Sequence, residues 1–505
     1  MLPFFVLLAS IFTALLVWRF KRVSVKHVNG PPSTSLLLGH EYILRSQDKF
    51  GDLETKWCRE YGTVYRIKGS LGQDILIVSD PKALEHIFHS SCPYPKTRDT
   101  NFMVSLILGG SGGLVVAEYD AHRRQRKVLN PAFSSANLRD FRIIFQQCSE
   151  KVVNAMGRTS VSEPIDVSAW MSKVSLDIIG LSAFRYDFGS LDGRDTELEG
   201  SLKYLHTASW QSNPSILEFI VVALIRILPA LVLKVLKTVS TRTAHELARV
   251  GKNAGKVARE ILAGQAELGV QDESDKDILN ILTRARITGQ MRDDEIEAQF
   301  VTFLIAGHDT TATTLSWLLY ELAAHPEHQS IIREELKQTY LDDYDALPFL
   351  NAAIKETLRL HPFAPTPARV APYDDILPLM GSKTLEIPKG QTLYCSIYLY
   401  NRLPSIWGVD AEEWNPSRFL DKNIPVSLGV YANLMTFSAG SRSCIGWRFA
   451  VMEMQTVLAN VIRNFEFSLP EGVVIEQRGA QAIVPVVKGE EHLGSRVPLK
   501  IKRLE

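Results

Sequence analysis

Residues 437–446 read Phe-Ser-Ala-Gly-Ser-Arg-Ser-Cys-Ile-Gly, and no other stretch limits the chain as much. Gly440 and Gly446 bracket a single cysteine, Cys444. Glycine permits backbone angles and close approaches that other residues resist, so the spacing predicts a tight loop around the sulfur. Backbone N–H groups converging in such a loop stabilise negative charge, here a thiolate. The chain has five cysteines, Cys58, Cys92, Cys148, Cys395 and Cys444. They are odd in number, widely spaced and lack a C-x-x-C pair, so they indicate neither a disulfide scaffold nor a zinc site, and they fit a reducing environment. Taken alone, Cys444 reads equally well as one more buried free thiol.

Three further stretches carry polar residues inside apolar periodicity. Glu295 to Ala324 predicts one helix, opened by Asp293-Asp294 and stopped by His325-Pro326. Its length of about 45 Å would cross a whole domain. Near its middle lies Ala306-Gly307-His308-Asp309-Thr310-Thr311, an acid followed by an alcohol beside two small residues. Glu356 and Arg359 stand three apart on one predicted helix face. Trp414-Asn415-Pro416-Ser417-Arg418-Phe419 follows downstream. Residues 61–80 alternate apolar and polar around a turn at Gly69 to Gln73 and predict a hairpin; Thr384 to Ile387 predicts another strand. Abundant helix with little strand predicts a mainly α fold with small β-sheets.

In that order, these motifs resemble the cytochrome P450 family. Phe437, Gly440, Arg442, Cys444 and Gly446 match its cysteine pattern, a coincidence expected in about one chain of this length in ten thousand. The resemblance implies the cytochrome P450 fold, a single large haem domain, with haem b as cofactor and the Cys444 thiolate as axial ligand of its iron. It implies that Phe437 covers the proximal face and that Arg442 reaches a haem propionate, with Arg126 and Arg369 as further propionate partners. His122 stands where the family often has Trp, and can still donate to a carboxylate. Asp309 and Thr310 match the oxygen-activation motif, in which an alcohol hydrogen-bonds the oxygen and an acid relays protons through water, with a helix kink expected there. Glu356, Arg359 and Arg418 are expected to form a buried ion network behind the cysteine loop. By position, Phe102, Met103, Leu106, Phe303, Ala306, Phe363, Ala364 and Val370 would line an apolar substrate pocket. Asn130-Pro131-Ala132-Phe133 and Asp177-Ile178-Ile179-Gly180 look most like fungal microsomal members.

The N-terminus differs from the body. Leu2 to Val17 is nearly all apolar and is followed by Trp18, Arg19, Phe20, Lys21 and Arg22. That is long enough to cross a thin bilayer, and the basic flank predicts a cytosolic body. No basic segment precedes the run and no small-x-small site follows, so an uncleaved anchor over 1–24 is expected, with the haem domain over 25–505. With the family resemblance this implies a single-pass protein of the endoplasmic reticulum membrane. Gly30-Pro31-Pro32 reads as the hinge between the two parts. Ile216 to Val235, apolar but broken by Glu218, Arg226, Pro229 and Lys234, reads as an amphipathic segment at the membrane interface bordering the substrate channel, with a buried core helix as the alternative.

Lys plus Arg equals Asp plus Glu at 56 each, which argues against nucleic-acid binding. There is neither a G-x-G-x-x-G fingerprint nor a P-loop, since Gly109 to Gly113 lacks the spacing. Electrons must then come from another protein, and the resemblance points to NADPH–cytochrome P450 reductase. The basic run His122 to Lys127 could form part of a docking face for it, with a merely solvated helix face as the alternative. The expected activity is O₂-dependent hydroxylation of a lipophilic small molecule, a terpenoid or other secondary metabolite before a fatty acid or xenobiotic. Two rivals remain: a haem-thiolate isomerase or dehydratase needing no O₂, and a haem or lipid binder without catalysis.

Overall fold

The computed structural model describes residues 13, 17, 24–33, 35, 37–110, 112–159, 163–194, 196–204, 216–227, 242–268, 277–338, 343–420, 428–479 and 481–504. The expected anchor lies outside the described residues apart from Thr13, Val17 and Ser24. No helix among the described residues is long and apolar enough to cross a membrane. The Gly30-Pro31-Pro32 hinge is corrected. A Cβ on Gly30 would lie 1.7 Å from the Arg66 carbonyl oxygen. The Asn29 carbonyl accepts the Arg66 N–H at 2.9 Å, and Val28 O accepts from the Arg66 side chain at 3.1 Å. The segment is docked along a strand, because only glycine allows so close a backbone approach.

That strand, β1 (Val64–Lys68), pairs antiparallel with β2 (Asp74–Val78), from Val64 opposite Val78 to Lys68 opposite Asp74. The expected hairpin is therefore present, turned by Ser70–Gly72. β3 (Ala368–Val370) and β4 (Thr392–Cys395) extend the sheet in the order β1-β2-β4-β3. β2 is buried along its whole length because β4 covers its other edge in parallel pairing, which explains its continuous apolar run. The strand expected at Thr384–Ile387 is Lys383–Ile387, paired with Asp375–Leu379.

Helices carry the rest, and eight frame the site: α1 (Gly39–Ser46), α2 (Arg98–Ile107), α3 (Tyr119–Leu129), α4 (Val167–Phe184), α5 (Ile216–Ile227), α6 (Asp293–Ala324), α7 (Pro348–Leu360) and α8 (Trp447–Asn464). The long helix α6 has 32 residues, about 48 Å. It begins two residues before the expected start, since Asp293 and Asp294 join the first turn and the Glu295 carboxylate accepts the Arg292 N–H at 3.0 Å. It ends at Ala324 as expected. Three-quarters of the α6 residues are buried, 24 of 32, as in a helix threaded through a core. α6 packs along α4, and Gly307 lies against it: a Cβ there would lie 2.7 Å from Ile179 Cδ1. Gly307 thus serves helix packing, whereas its neighbour Ala306 is exposed. Buried apolar residues form one cluster running in sequence from Val25 to Ile501.

Of the Ile216–Val235 stretch, only the part within α5 is described. Phe219, Ala223 and Ile225 are buried, and Arg226, read as an interruption of an interfacial segment, is bound inside the fold. Ile216 is exposed and Ile220, Val221, Val222 and Leu224 are half-buried, so α5 buries one face.

One buried acid gives a pH test of the core. Glu453 of α8 is fully buried. Ser175 Oγ of α4 donates to its Oε1 at 2.6 Å, and its Oε2 has no hydrogen-bond partner among the described residues. Burial pushes the carboxyl up to about 8 from 4.5. The native state then keeps the proton while the unfolded chain loses it, so this group costs stability as pH rises from about 4.5 to 8. Glu453→Gln removes that term. Its thermal midpoint relative to wild type is expected to rise between pH 5 and pH 8, by a margin worth about 2–4 kcal/mol. A gap that does not change with pH would contradict this.

Candidate active site

The cysteine loop turns where the sequence predicts, with one correction. Gly440 has φ +62° and a Cβ there would lie 2.0 Å from the Phe88 carbonyl oxygen, so no side chain fits. Gly446 has φ −93°, and a Cβ there would sit 3.5 Å from the Phe133 ring, an ordinary contact. Its contribution is its N–H, which favours negative charge on the Cys444 sulfur. A second positive φ in the loop falls on Ser438, at 60°. Phe437 anchors the loop twice. Its carbonyl accepts the Cys444 N–H at 2.8 Å, and its ring meets Tyr431 edge-on at 6.0 Å. Cys444 is exposed, whereas Cys148 and Cys395 are buried. Yet protein surrounds its sulfur closely enough that burial pushes the thiol up, opposed by the Gly446 N–H and the Arg126 charge. Accessible and enclosed together mean that the sulfur faces an internal space.

Cations converge beside the loop. Arg126 donates to the Ser443 carbonyl at 2.6 Å and to Ser443 Oγ at 3.2 Å. Arg442 donates to the Ala117 carbonyl at 2.7 Å and pairs with Glu118. Arg369 is buried, with its guanidinium 5.2 Å from the Phe88 ring centre. His122 is buried too; burial first, then Arg442, Arg126 and Lys96, pull its imidazole down to about 4, so it is neutral at pH 7. Lys96 joins the group unforeseen, held by the Val115 carbonyl. Burial and then Arg369 and Arg442 bring its ammonium down to about 7, against the pull of Glu118. No motif marks Lys96; it follows a proline in a loop. Three guanidiniums and a lysine against one carboxylate make a site for a ligand bearing more than one negative charge. A sulfur facing internal space beside such a cluster fits haem b, whose two propionates would meet Arg126, Arg369, Arg442, Lys96 and the neutral His122.

The basic run on α3 is therefore divided. His122 and Arg126 turn to the loop. Arg124 pairs with the buried Glu295 of α6 at 2.5 Å, and Gln125 hydrogen-bonds Glu295 and Gln299 at 3.0 Å each. Among the residues of the run, Arg123, Arg124 and Lys127 reach the surface, and Arg123 is paired with Asp120. Arg123, Arg124 and Lys127 are thus the members of the run open to a partner.

Phe303 lies on α6 just before the motif at 306–311. It is buried, and its ring lies 5.5 Å from that of Phe133, the residue nearest the Gly446 Cβ position. It ties α6 to the cysteine loop. Ala306 and Thr310 continue the same helix face, three and seven residues on. Ala306 is exposed and Thr310 half-buried on a helix otherwise sunk in protein, so this face borders open space. Thr310 Oγ1 donates to the Ala306 carbonyl at 2.8 Å. Asp309 is buried, and His308 shares a hydrogen bond of 2.8 Å with Ser172 Oγ. α6 runs through this motif unbroken, so the expected kink is absent. Phe102, Met103 and Leu106 lie half-buried on α2, Phe363 and Val370 are half-buried, and Ala364 is exposed.

The ion network is present as expected. Glu356 and Arg359 are fully buried on α7, and their side chains pair through two hydrogen bonds of 2.7 and 2.8 Å. Arg359 also donates to the carbonyls of Asn401, Ala411 and Glu413 at 2.7, 2.6 and 2.9 Å. Arg418 approaches Glu356 at 3.4 Å and clamps Asp410 at 2.7 Å. The Arg418 hydrogen bond holds the Asp410 carboxyl down at about 2. Asn401, missed in the sequence, links the network to the cysteine loop. Its amide donates to the Arg359 carbonyl at 3.1 Å and to Thr436 Oγ1 at 3.0 Å, next to Phe437.

Comparison with known proteins agrees with this geometry. The family model described as Cytochrome P450 matches residues 29–490. Cytochrome P450 monooxygenase claQ of Ampulloclitocybe clavipes is 32% identical over 95% of this chain and 93% of its own. Cytochrome P450 monooxygenase claO of the same fungus is 34% identical over the same shares. Cytochrome P450 monooxygenase 205 of Postia placenta is 31% identical, again over 95% and 93%. Family members bind haem iron through a cysteine thiolate. With nearly the whole chain covered and a cysteine loop built to hold such a group, the protein belongs to the cytochrome P450 family and is a cytochrome P450 monooxygenase.

Proposed function

We propose that the protein hydroxylates an apolar small molecule, a terpenoid or related secondary metabolite, with Cys444 as the haem ligand. The carrying observation is the accessible Cys444 sulfur, enclosed by the Gly440–Gly446 loop and flanked by a cation cluster. When bound, thiolate-ligated haem supplies activation of O₂ and insertion of one oxygen atom into a C–H bond. The chain supplies position, protons and exclusion of water. The Gly446 N–H and Arg126 stabilise charge on the sulfur. Arg442, Arg369, Lys96 and Arg126 would hold the propionates.

Thr310 holds a proton at Oγ1, parked on the Ala306 carbonyl, at the edge of open space. Rotation about its side chain turns that hydroxyl outward, and the neighbouring Asp309 replenishes the proton through water. Thr310→Ala is expected to cut product formation about a hundredfold while NADPH consumption persists. Thr310→Ser should restore most of the coupling. Unchanged product per NADPH in the alanine variant would remove Thr310 from the proton path.

The apolar character of Met103, Leu106, Phe363 and Val370 supports a lipophilic substrate held by few polar contacts. Titrating the ferric protein with terpenoids, fatty acids and small aromatics tests the class. A saturable low-spin to high-spin Soret shift with terpenoids alone supports the reading, and a shift confined to fatty acids or aromatics replaces it.

For electrons we assign NADPH–cytochrome P450 reductase, docking beside the cysteine loop. A cavity of about 600 Å³ there is rimmed by Arg139, Arg142, Lys355 and Arg448, with Asp345 the acid among them. Arg123 and Lys127 of α3 add surface charge. An acidic partner fits this rim. The apolar run over Leu2–Val17 with its basic flank supports a single-pass anchor in the endoplasmic reticulum, with the catalytic body in the cytosol.

A further inference from the structure

α5 is an almost wholly apolar helix with one cation near its end, Arg226. That guanidinium is the centre of a buried polar node. Its Nε donates to Asp99 of α2 at 2.7 Å. Its Nη1 donates to Glu41 of α1 at 3.0 Å, and its Nη2 lies 2.8 Å from both the other Glu41 oxygen and the Tyr394 hydroxyl of β4. Tyr394 in turn donates to Glu41. The backbone N–H and hydroxyl of Ser70 donate to Glu41 at 2.8 and 3.0 Å. Arg45 of α1 adds a second positive charge facing the node. Two cations thus meet two carboxylates with little solvent: the Arg226, Glu41 and Asp99 side chains are 16, 8 and 9% exposed.

Only one other specific contact of this kind fastens α5 to α1 among the described residues, the edge-on meeting of Phe219 and Tyr42 at 5.5 Å. α5 packs on α2, and α2 carries Phe102, Met103 and Leu106 on the turns after Asp99. An apolar helix slides on an apolar neighbour at small cost, whereas a buried guanidinium with fixed donors has one arrangement that satisfies it. We propose that Arg226 is the positioning residue of the substrate pocket: its node with Glu41, Asp99 and Tyr394 pins α5 across α2, and so sets how readily bulky ligands reach the site. The inference rests on the reading that α2 lines the pocket.

The test uses the holoenzyme and two ferric-haem ligands of different size, cyanide and clotrimazole, followed by stopped-flow Soret change. Arg226→Met, which keeps the apolar stem and removes the fork, is expected to raise both the association and dissociation rate constants of clotrimazole at least tenfold. Cyanide kinetics and the ferrous–CO spectrum should stay within a factor of two of wild type. Glu41→Gln should act in the same direction, and Arg226→Lys should recover part of the wild-type rates. A merely structural role would move cyanide, haem retention and clotrimazole together, and that outcome overturns the proposal. Should Arg226→Met fail to fold, Asp99→Asn carries the same test from the other side of the node. Phe102→Ala separates the two claims. If it alters clotrimazole affinity while the node variants leave the rates unchanged, the latch is wrong and the pocket reading stands. If Phe102→Ala changes nothing, the pocket reading fails, and the latch built on it fails with it.

Discussion

Arg359→Ala is expected to yield no folded, haem-bearing protein. The substitution leaves Glu356 as a fully buried carboxylate that keeps Arg418 at 3.4 Å and the Asn415 N–H at 2.8 Å but loses its closest cation. Stranding one partner of a buried ion pair costs about 3–5 kcal/mol. The carbonyls of Asn401, Ala411 and Glu413 lose their donor as well, each worth about 1–3 kcal/mol when buried and unmet. The sum rivals the 5–15 kcal/mol of an ordinary domain's stability. Because Asn401 joins this network to Thr436, the damage would reach the cysteine loop before the rest of the molecule. Soluble yield, haem per protein and near-ultraviolet dichroism measure the effect. Arg359→Lys keeps the charge but not the fork, and should retain a minority of holoprotein. Full holoprotein from the alanine variant would show that the network is dispensable.

Cys444→Ser is expected to leave the fold intact and abolish turnover. The hydroxyl matches the thiol in size, and Cys444 is exposed, so packing changes little. A serine hydroxyl does not ionise near neutral pH, and the electron-rich ligand is lost. The ferrous–CO complex should therefore lose the long-wavelength Soret band that marks thiolate ligation, while the thermal midpoint of the apoprotein stays close to wild type. Cys92→Ser, at another exposed cysteine, is the control and should change neither property. A retained thiolate spectrum in Cys444→Ser would move the ligand to another cysteine.

Local patterns with few physical solutions were legible in the sequence. The β1–β2 hairpin, the C-terminal end of α6 and the Glu356–Arg359 pair follow from period, turn residues and spacing, and the structure has all three. What escaped the sequence depends on which way a residue faces in the folded chain. Gly307 and Ala306 are adjacent small residues, but one packs on Ile179 and the other borders open space. Phe303 and Ala306 share a face, yet Phe133 claims the first. His122 to Lys127 is one basic run, and helical rotation sends its members to the cysteine loop, to Glu295 and to solvent. Lys96 and Asn401 act through partners about 270 and 40 residues away, such as Arg369 and Arg359, which no local pattern records.

Incorporation of isotopically labelled dioxygen tests the central claim most directly. The holoenzyme, reductase and NADPH are combined with a compound that gives the high-spin shift, and the product is weighed. The account predicts one labelled oxygen atom per product molecule, formed only when NADPH and reductase are present. An unlabelled product, or one formed without NADPH, would contradict it and leave a haem-thiolate isomerase or dehydratase in its place.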